Sequence, residues 1–238
     1  MSAQPVGAIS AAGSPTRSDC TLASSMNPYL DHIIWACADL ERGSRRFETL
    51  TGVCPRYGGV HASGLTHNAL VGLGNRCYLE ILAPVGPAGP SDDHWCRLAR
   101  GAHEPRILTY CLRSPRPLSE LALTFEGFGW KNAVVASNGR NTQEGVRLRW
   151  QWLGPTVERF GLAFPFFIDW LDSPHPAESF SVAQPESRIL LQRFAVGHPD
   201  ATELRRTLTE IGSPIDTYAA DDVQFRVQLQ TPLGAVSL

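Results

Sequence analysis

The chain has 238 residues, 43% of them apolar and 18% charged, with 21 basic and 23 acidic side chains giving a formal charge of −2. This balance, with no block of like charge, excludes a dedicated nucleic-acid or membrane-surface protein. No stretch of about 18 apolar residues occurs and no secretory h-region opens the chain, so a cytoplasmic protein is expected.

Residues 1–25 are rich in Ala, Ser and Gly and are expected to form a disordered leader, with Met26 as an alternative start. Leu30 to Cys37 is an apolar run of strand formers. Asp39 then caps a helix whose Leu40, Phe47 and Leu50 share one face, and Gly52 ends it. Strands are expected over about 56–60, 67–73 and 76–83. The same order of elements returns from Arg106. A strand to Leu112 leads to a helix begun by Pro117, striped by Leu118, Leu121, Phe125 and Phe128, and stopped by Gly129. Further strands follow over about 132–137, 146–153 and 162–171. A third copy opens with Arg188 to Leu191. Asp200 and Glu203 start its helix in the manner of a capping box, and strands are expected over about 215–219, 223–230 and 234–238.

The fold class is therefore α+β, built from repeated β-α-β-β-β modules. One module alone leaves an open sheet and a half-covered core, so modules are expected to pair. Residues 26–176 form the paired unit and 177–238 a shorter third module packed on it. Pro- and Gly-containing linkers at about 84–105 and 172–187 separate the copies.

The six cysteines are never closer than fifteen residues apart, which excludes a zinc knuckle or a thioredoxin-type pair. No G-x-S-x-G elbow, P-loop or H-E-x-x-H motif is present. His32, Glu80 and Asp169 each lie within apolar strand segments. Buried carboxylates must be paired, protonated or metal-bound. Either His32 and Glu80 pair with each other and Asp169 with an arginine, or the three share a metal.

Leu30-Asp31-His32-Ile33, the Asp39-Leu40 helix start and Tyr78-Leu79-Glu80-Ile81-Leu82 resemble the first module of the vicinal oxygen chelate superfamily. Gly58-Gly59-Val60-His61, Gly64-Leu65-Thr66-His67-Asn68 and Phe164 to Trp170 resemble its glyoxalase-like domain subgroup. The resemblance implies paired modules forming a cup around a divalent metal, here held by His32, Glu80 and Asp169. The partner strand of the second module offers Leu108, Thr109 and Tyr110 in place of a histidine, a departure from the four ligands of glyoxalase I.

One imidazole and two carboxylates suit Fe, Mn or Ni, with Zn less favoured. Such an ion would chelate vicinal substrate oxygens as a Lewis acid, with Glu80 or Asp169 moving the proton. Substrate contacts are expected from His67, Asn68 and Trp170, with His61 and His175 as further candidates; His94, His103 and His198 read as surface residues. In 146–152, Arg147, Arg149 and Gln151 share one face and Leu148, Trp150 and Trp152 the other. If the polar face lines the cleft, Arg147 and Arg149 select a carboxylate or phosphate; otherwise it faces water. The expected function is a metal-dependent lyase, isomerase or dioxygenase acting on a small oxygenated metabolite. The alternative is a non-catalytic small-molecule binder of the same fold. The third module would serve as a lid or as a homodimer interface.

Overall fold

The computed structural model describes residues 28–127, 133–154, 159–180 and 188–238. The leader expected over 1–25 and the Gly129 helix stop lie outside the described residues. The first module comprises β1 (Tyr29–Ala36), α1 (Leu40–Thr51), β2 (Arg56–Val60), β3 (Thr66–Gly72) and β4 (Tyr78–Pro84). A short helix, α2 (His94–Arg100), precedes the second module: β5 (Arg106–Arg113), α3 (Leu118–Gly127), β6 (Val135–Asn141), β7 (Arg147–Leu153) and β8 (Phe166–Asp169). The third holds β9 (Leu190–His198), α4 (Ala201–Glu210), β10 (Asp216–Ala219), β11 (Gln224–Thr231) and β12 (Gly234–Ser237).

Local chemistry sets these boundaries. Asp39 is extended and accepts from the Arg42 N–H at 2.7 Å, while Gly52, at φ 75°, closes α1 by donating to Glu48 O. In the span expected to be only a linker, Asp93 caps α2 by accepting from the Cys96 N–H at 2.8 Å. Seven residues give too little periodicity to announce such a helix among the surrounding prolines and glycines.

The first two modules form one mixed sheet in the order β2-β3-β4-β1-β5-β8-β7-β6. In each, the last strand returns parallel to the opening one (β1 with β4, β5 with β8), and β1 joins β5 antiparallel at the centre. The outer edges then curl together. The Ala62 N–H donates to Gly139 O at 2.8 Å, and His61 makes a β-bridge with Arg140. A register shift between Tyr57 and Gly59 bends β2 toward this seam. Gly59 sits at φ 134°, and a Cβ there would meet Asn141 O at 2.3 Å. The result is a nearly closed, cup-shaped sheet.

The third module shares the element order but pairs differently, as β10-β9-β11-β12. Its post-helix strand lies directly against β9, whereas β2 and β6 sit at the far edges of their modules. This smaller sheet covers the convex side of the cup. Phe194 packs its ring 5.0 Å from Tyr110, and the Leu191 N–H donates to Leu73 O at 2.9 Å. The main core is thus continuous from Ile33, Trp35 and Leu79 through Tyr110 and Leu112 to Val196 and Val227. Burying each such side chain contributes about 1.5–3 kcal/mol. Among the described residues no helix is long and apolar enough to cross a membrane.

Because Gly59 combines a left-handed φ with backbone at van der Waals overlap, Gly59→Ala is expected to cost on the order of 1–3 kcal/mol. Urea unfolding measures this; an unchanged midpoint would show that the seam does not need glycine here.

Candidate functional site

The site begins with an irregularity in β1. Its register against β5 shifts between Leu30 and His32, with Leu30 opposite Leu112 and His32 opposite Cys111. Asp31 is the extra residue. A regular strand would send Asp31 and His32 to opposite faces; the bulge re-aims the carboxylate. Asp31 Oδ1 accepts from His32 Nδ1 at 2.7 Å, and Oδ2 accepts from His175 Nε2 at 3.0 Å and Trp170 Nε1 at 3.1 Å. The Ala177 N–H donates to His175 Nδ1, which leaves Nε2 as the protonated nitrogen facing Asp31. Asp31 is fully buried, and burial alone would raise its pKa. The hydrogen bonds from His175 and His32 outweigh it and hold the carboxyl at about 2. An ionised carboxylate only accepts, so His32 donates through Nδ1 and turns Nε2 toward Glu80 Oε2, 3.6 Å away. Tyr78 stacks on the same imidazole, ring centres 4.7 Å apart.

A second histidine approaches from the seam. Asn68 Nδ2 donates to Glu80 Oε1 at 2.8 Å and lies 3.3 Å from His61 Nε2, which makes that nitrogen an acceptor. His61 Nδ1 then donates to Thr66 Oγ1 at 2.7 Å. Burial, only partly offset by Glu80, lowers the His61 pKa and keeps the ring neutral. His61 Nε2 is 3.5 Å from Glu80 Oε1. Both imidazole–carboxylate separations exceed ordinary hydrogen-bond length. Each ring is therefore held at Nδ1 by an outer partner while Nε2 faces a shared carboxylate. Histidines that bind metals are oriented in this manner.

Asp31, His32 and Cys111 also place potential ligand atoms within 4.8 Å of one another. Asp31, however, already accepts from three donors. Burial pushes the Cys111 thiol well above its ordinary value, and it donates to Leu112 O. That group orients His32 and does not compete with Glu80 and His61.

These donors line a cavity of about 150 Å³ in the concave face. Its walls are aromatic: Trp150, Trp152 and Trp170 on one side, and Trp95 of α2 against Phe166, ring centres 5.5 Å apart, on another. Arg140, Asp93, Asn138 and Ser63 add polar atoms.

Of the residues expected from sequence, His32, Glu80, Asn68 and Trp170 line this cavity together. Asp169 is not brought to them. On β8 and just beyond it, Phe166, Ile168 and Trp170 point inward, and the intervening Asp169 accepts from the Leu171 N–H at 2.9 Å. His67 alternates with Asn68 and lies edge-on to Tyr57. Arg147 and Arg149 face outward, Arg149 pairing with Asp172 at 3.0 Å, while Leu148 and Trp150 are buried on the other side of β7. Asp31, Arg140, Asn138, Asp93 and Trp95 were not expected in the site. Asp31 had one sequence signal, its adjacency to His32; His175, a candidate from its position after Trp170, is buried.

A family model described as "Glyoxalase-like domain" matches residues 30–212. No curated protein matches the chain. Among solved structures, a hypothetical protein from Staphylococcus aureus is similar, with a TM-score of 0.61 at 16% identity, over 85% of this chain and 81% of that one. Methylmalonyl-CoA epimerase from Mycobacterium tuberculosis aligns with a TM-score of 0.41 at 16% identity, over 69% of this chain and 98% of its own. The Streptomyces coelicolor methylmalonyl-CoA epimerase in complex with 2-nitronate-propionyl-CoA aligns at 0.43 and 17%, over 60% and 97%.

Asp31→Ala strands three buried donors and is expected to cost about 3–5 kcal/mol in urea unfolding. Asp31→Asn, which keeps an acceptor, is expected to cost less; equal costs would show that the carboxylate acts by volume alone.

Proposed function

Because the chain belongs to the glyoxalase-like domain family of the vicinal oxygen chelate superfamily, we propose that it is a divalent-metal enzyme of the lyase, isomerase or dioxygenase type. Its substrate on this reading is a small oxygenated metabolite drawn into the cup. The observation that carries the reading is the convergence of two outer-anchored imidazoles, His32 and His61, on Glu80 inside an aromatic cavity.

His32, His61 and Glu80 would hold the ion, with His61 taking the place first expected of Asp169. Two imidazoles and one carboxylate suit Fe(II) and similar ions with open positions, and also catalytic zinc. When bound, the ion supplies Lewis-acid stabilisation of charge developing on a substrate oxygen. The chain's own residues do the rest. Asp31 fixes the ring plane and tautomer of His32. Asn68 holds Glu80 Oε1, which leaves Oε2 as the oxygen proposed to take up a substrate proton. The tryptophan walls lower the polarity around these groups and so strengthen the electrostatic contacts beside them.

One observation favours the binder as a second reading. All three proposed donors come from the first module, while the residue opposite His32 on β5 is Cys111, and Thr109 spends its hydroxyl on Leu162 O. A binder would retain its ligand unchanged where the enzyme turns it over.

Elemental analysis after reconstitution with Fe(II), Mn(II), Ni(II) or Zn(II) tests the metal. Stoichiometric binding is expected, abolished by His32→Ala, His61→Ala and Glu80→Ala and retained in Asp169→Ala. Metal that survives the first three substitutions would sink the assignment. Asp31→Asn is expected to weaken metal affinity by about 10–100-fold through the orientation of His32 alone, read by isothermal titration.

A further inference from the structure

Among the described residues the guanidinium of Arg140 has no ion-paired acid. The residue is 6% exposed, lines the cavity, and makes its hydrogen bond to the carbonyl of Gly58 across the seam. No carboxylate among the described residues lies within ion-pair distance of it. The other site-facing charges are the carboxylates of Glu80 and Asp93, of which Glu80 is assigned to the metal and Asp93 caps α2. Arginine does not shed its proton to escape burial, and Glu80 and Glu144 act on this one only from beyond ion-pair distance, so the buried charge is incompletely compensated and favours an arriving anion. The planar fork of donors matches a carboxylate in two parallel hydrogen bonds.

The surroundings narrow the partner further. Asn138 precedes Arg140 by two residues on the same face of β6 and also lines the cavity. Its Oδ1 accepts from the Gly139 N–H, so its amide hydrogens are left as donors. Trp150 and Trp170 stand with ring centres 5.3 Å apart, and Trp152 continues the same wall. A volume of about 150 Å³ is the size that accommodates a single benzene ring.

We propose that Arg140 receives the carboxylate of a flat, single-ring aromatic acid whose ring lies among the cavity tryptophans. The inference rests on the reading of this cavity as the substrate site and adds to it the substrate's charge and shape. It also reassigns the anion-binding role that the sequence offered to Arg147 and Arg149 to an arginine on the neighbouring strand.

Isothermal titration of metal-free and Mn(II)-loaded protein with benzoate and with benzamide, its neutral counterpart, tests the proposal. Saturable benzoate binding is expected, with benzamide at least about tenfold weaker, the scale of one hydrogen bond to a charged group. Arg140→Gln should lose that preference and bind both equally weakly, and Arg140→Lys should keep part of it. Arg140 also clamps the seam, so melting temperature and Mn(II) affinity are measured on each variant. If Arg140→Gln fails to fold, Arg140→Lys decides by its benzoate-to-benzamide ratio, which a purely structural clamp would leave at the wild-type value. Equal binding of the two probes by wild type, no benzoate binding, or an unchanged ratio in the arginine variants would overturn the proposal. Mn(II) binding with any of these outcomes fails only the Arg140 inference. Arg140-dependent benzoate binding without Mn(II) binding fails only the metal reading.

Discussion

A single buried carboxylate organises this molecule. Asp31 is wholly removed from water, and an ion in that position survives only where its lone pairs are filled. The three donors that fill them come from different places: His32 beside it on β1, Trp170 just after β8, and His175 in the turn beyond. Satisfying one charge thus ties the centre of the first module to the end of the second. The same bonds choose the tautomer of His32 and fix which nitrogen meets Glu80. The bulge in β1 is the backbone's accommodation to this requirement, because without it Asp31 and His32 would face opposite sides of the sheet.

Around that centre the three modules take different parts. The first supplies nitrogen and oxygen donors; the second supplies an aromatic wall and a guanidinium; the third covers the convex face, where Tyr110 and Leu112 would otherwise meet water. The division has a packing origin. In β7 and β8 the inward positions include Trp150, Trp152 and Phe166, while in β1, β3 and β4 the inward row holds His32, Asn68 and Glu80 with Ile34, Tyr78 and Leu82.

Much of this was legible in the residues. The capping of α1 by Asp39 and Gly52 and the strand character of 30–37 follow from local chemistry, whereas naming His32, Asn68, Glu80 and Trp170 as site residues needed the family resemblance, because the strands of His32 and Glu80 are apolar on both faces. The unforeseen parts arise where a local rule meets a longer-range one. The role of Asp31 went unseen because a bulge carries no clear mark in one sequence, and regular alternation would turn it away from His32. Asp169 sits between Phe167 and Leu171 on its own strand face and looked buried, yet its neighbours Ile168 and Trp170 take the inward positions. The polar face of 146–152 left two orientations open, and the rings on its other side decided them. Arg140 gave no signal at all, since its burial depends on β2 and β6 meeting from some 80 residues apart in the chain, as its bond to Gly58 shows. The third module's pairing was equally hidden, because element order does not dictate which strand becomes a neighbour.

The bridge between His61 and Arg140 has a consequence for how anything enters. It joins, residue to residue, the imidazole that faces Glu80 and the guanidinium that lines the cavity, and it is also the stitch that closes the cup. Parting the two edges to admit a ligand would pull apart the groups that greet it. A ligand then comes and goes without parting that seam, past the indole of Trp95, which lines the cavity from the two-turn helix capped by Asp93.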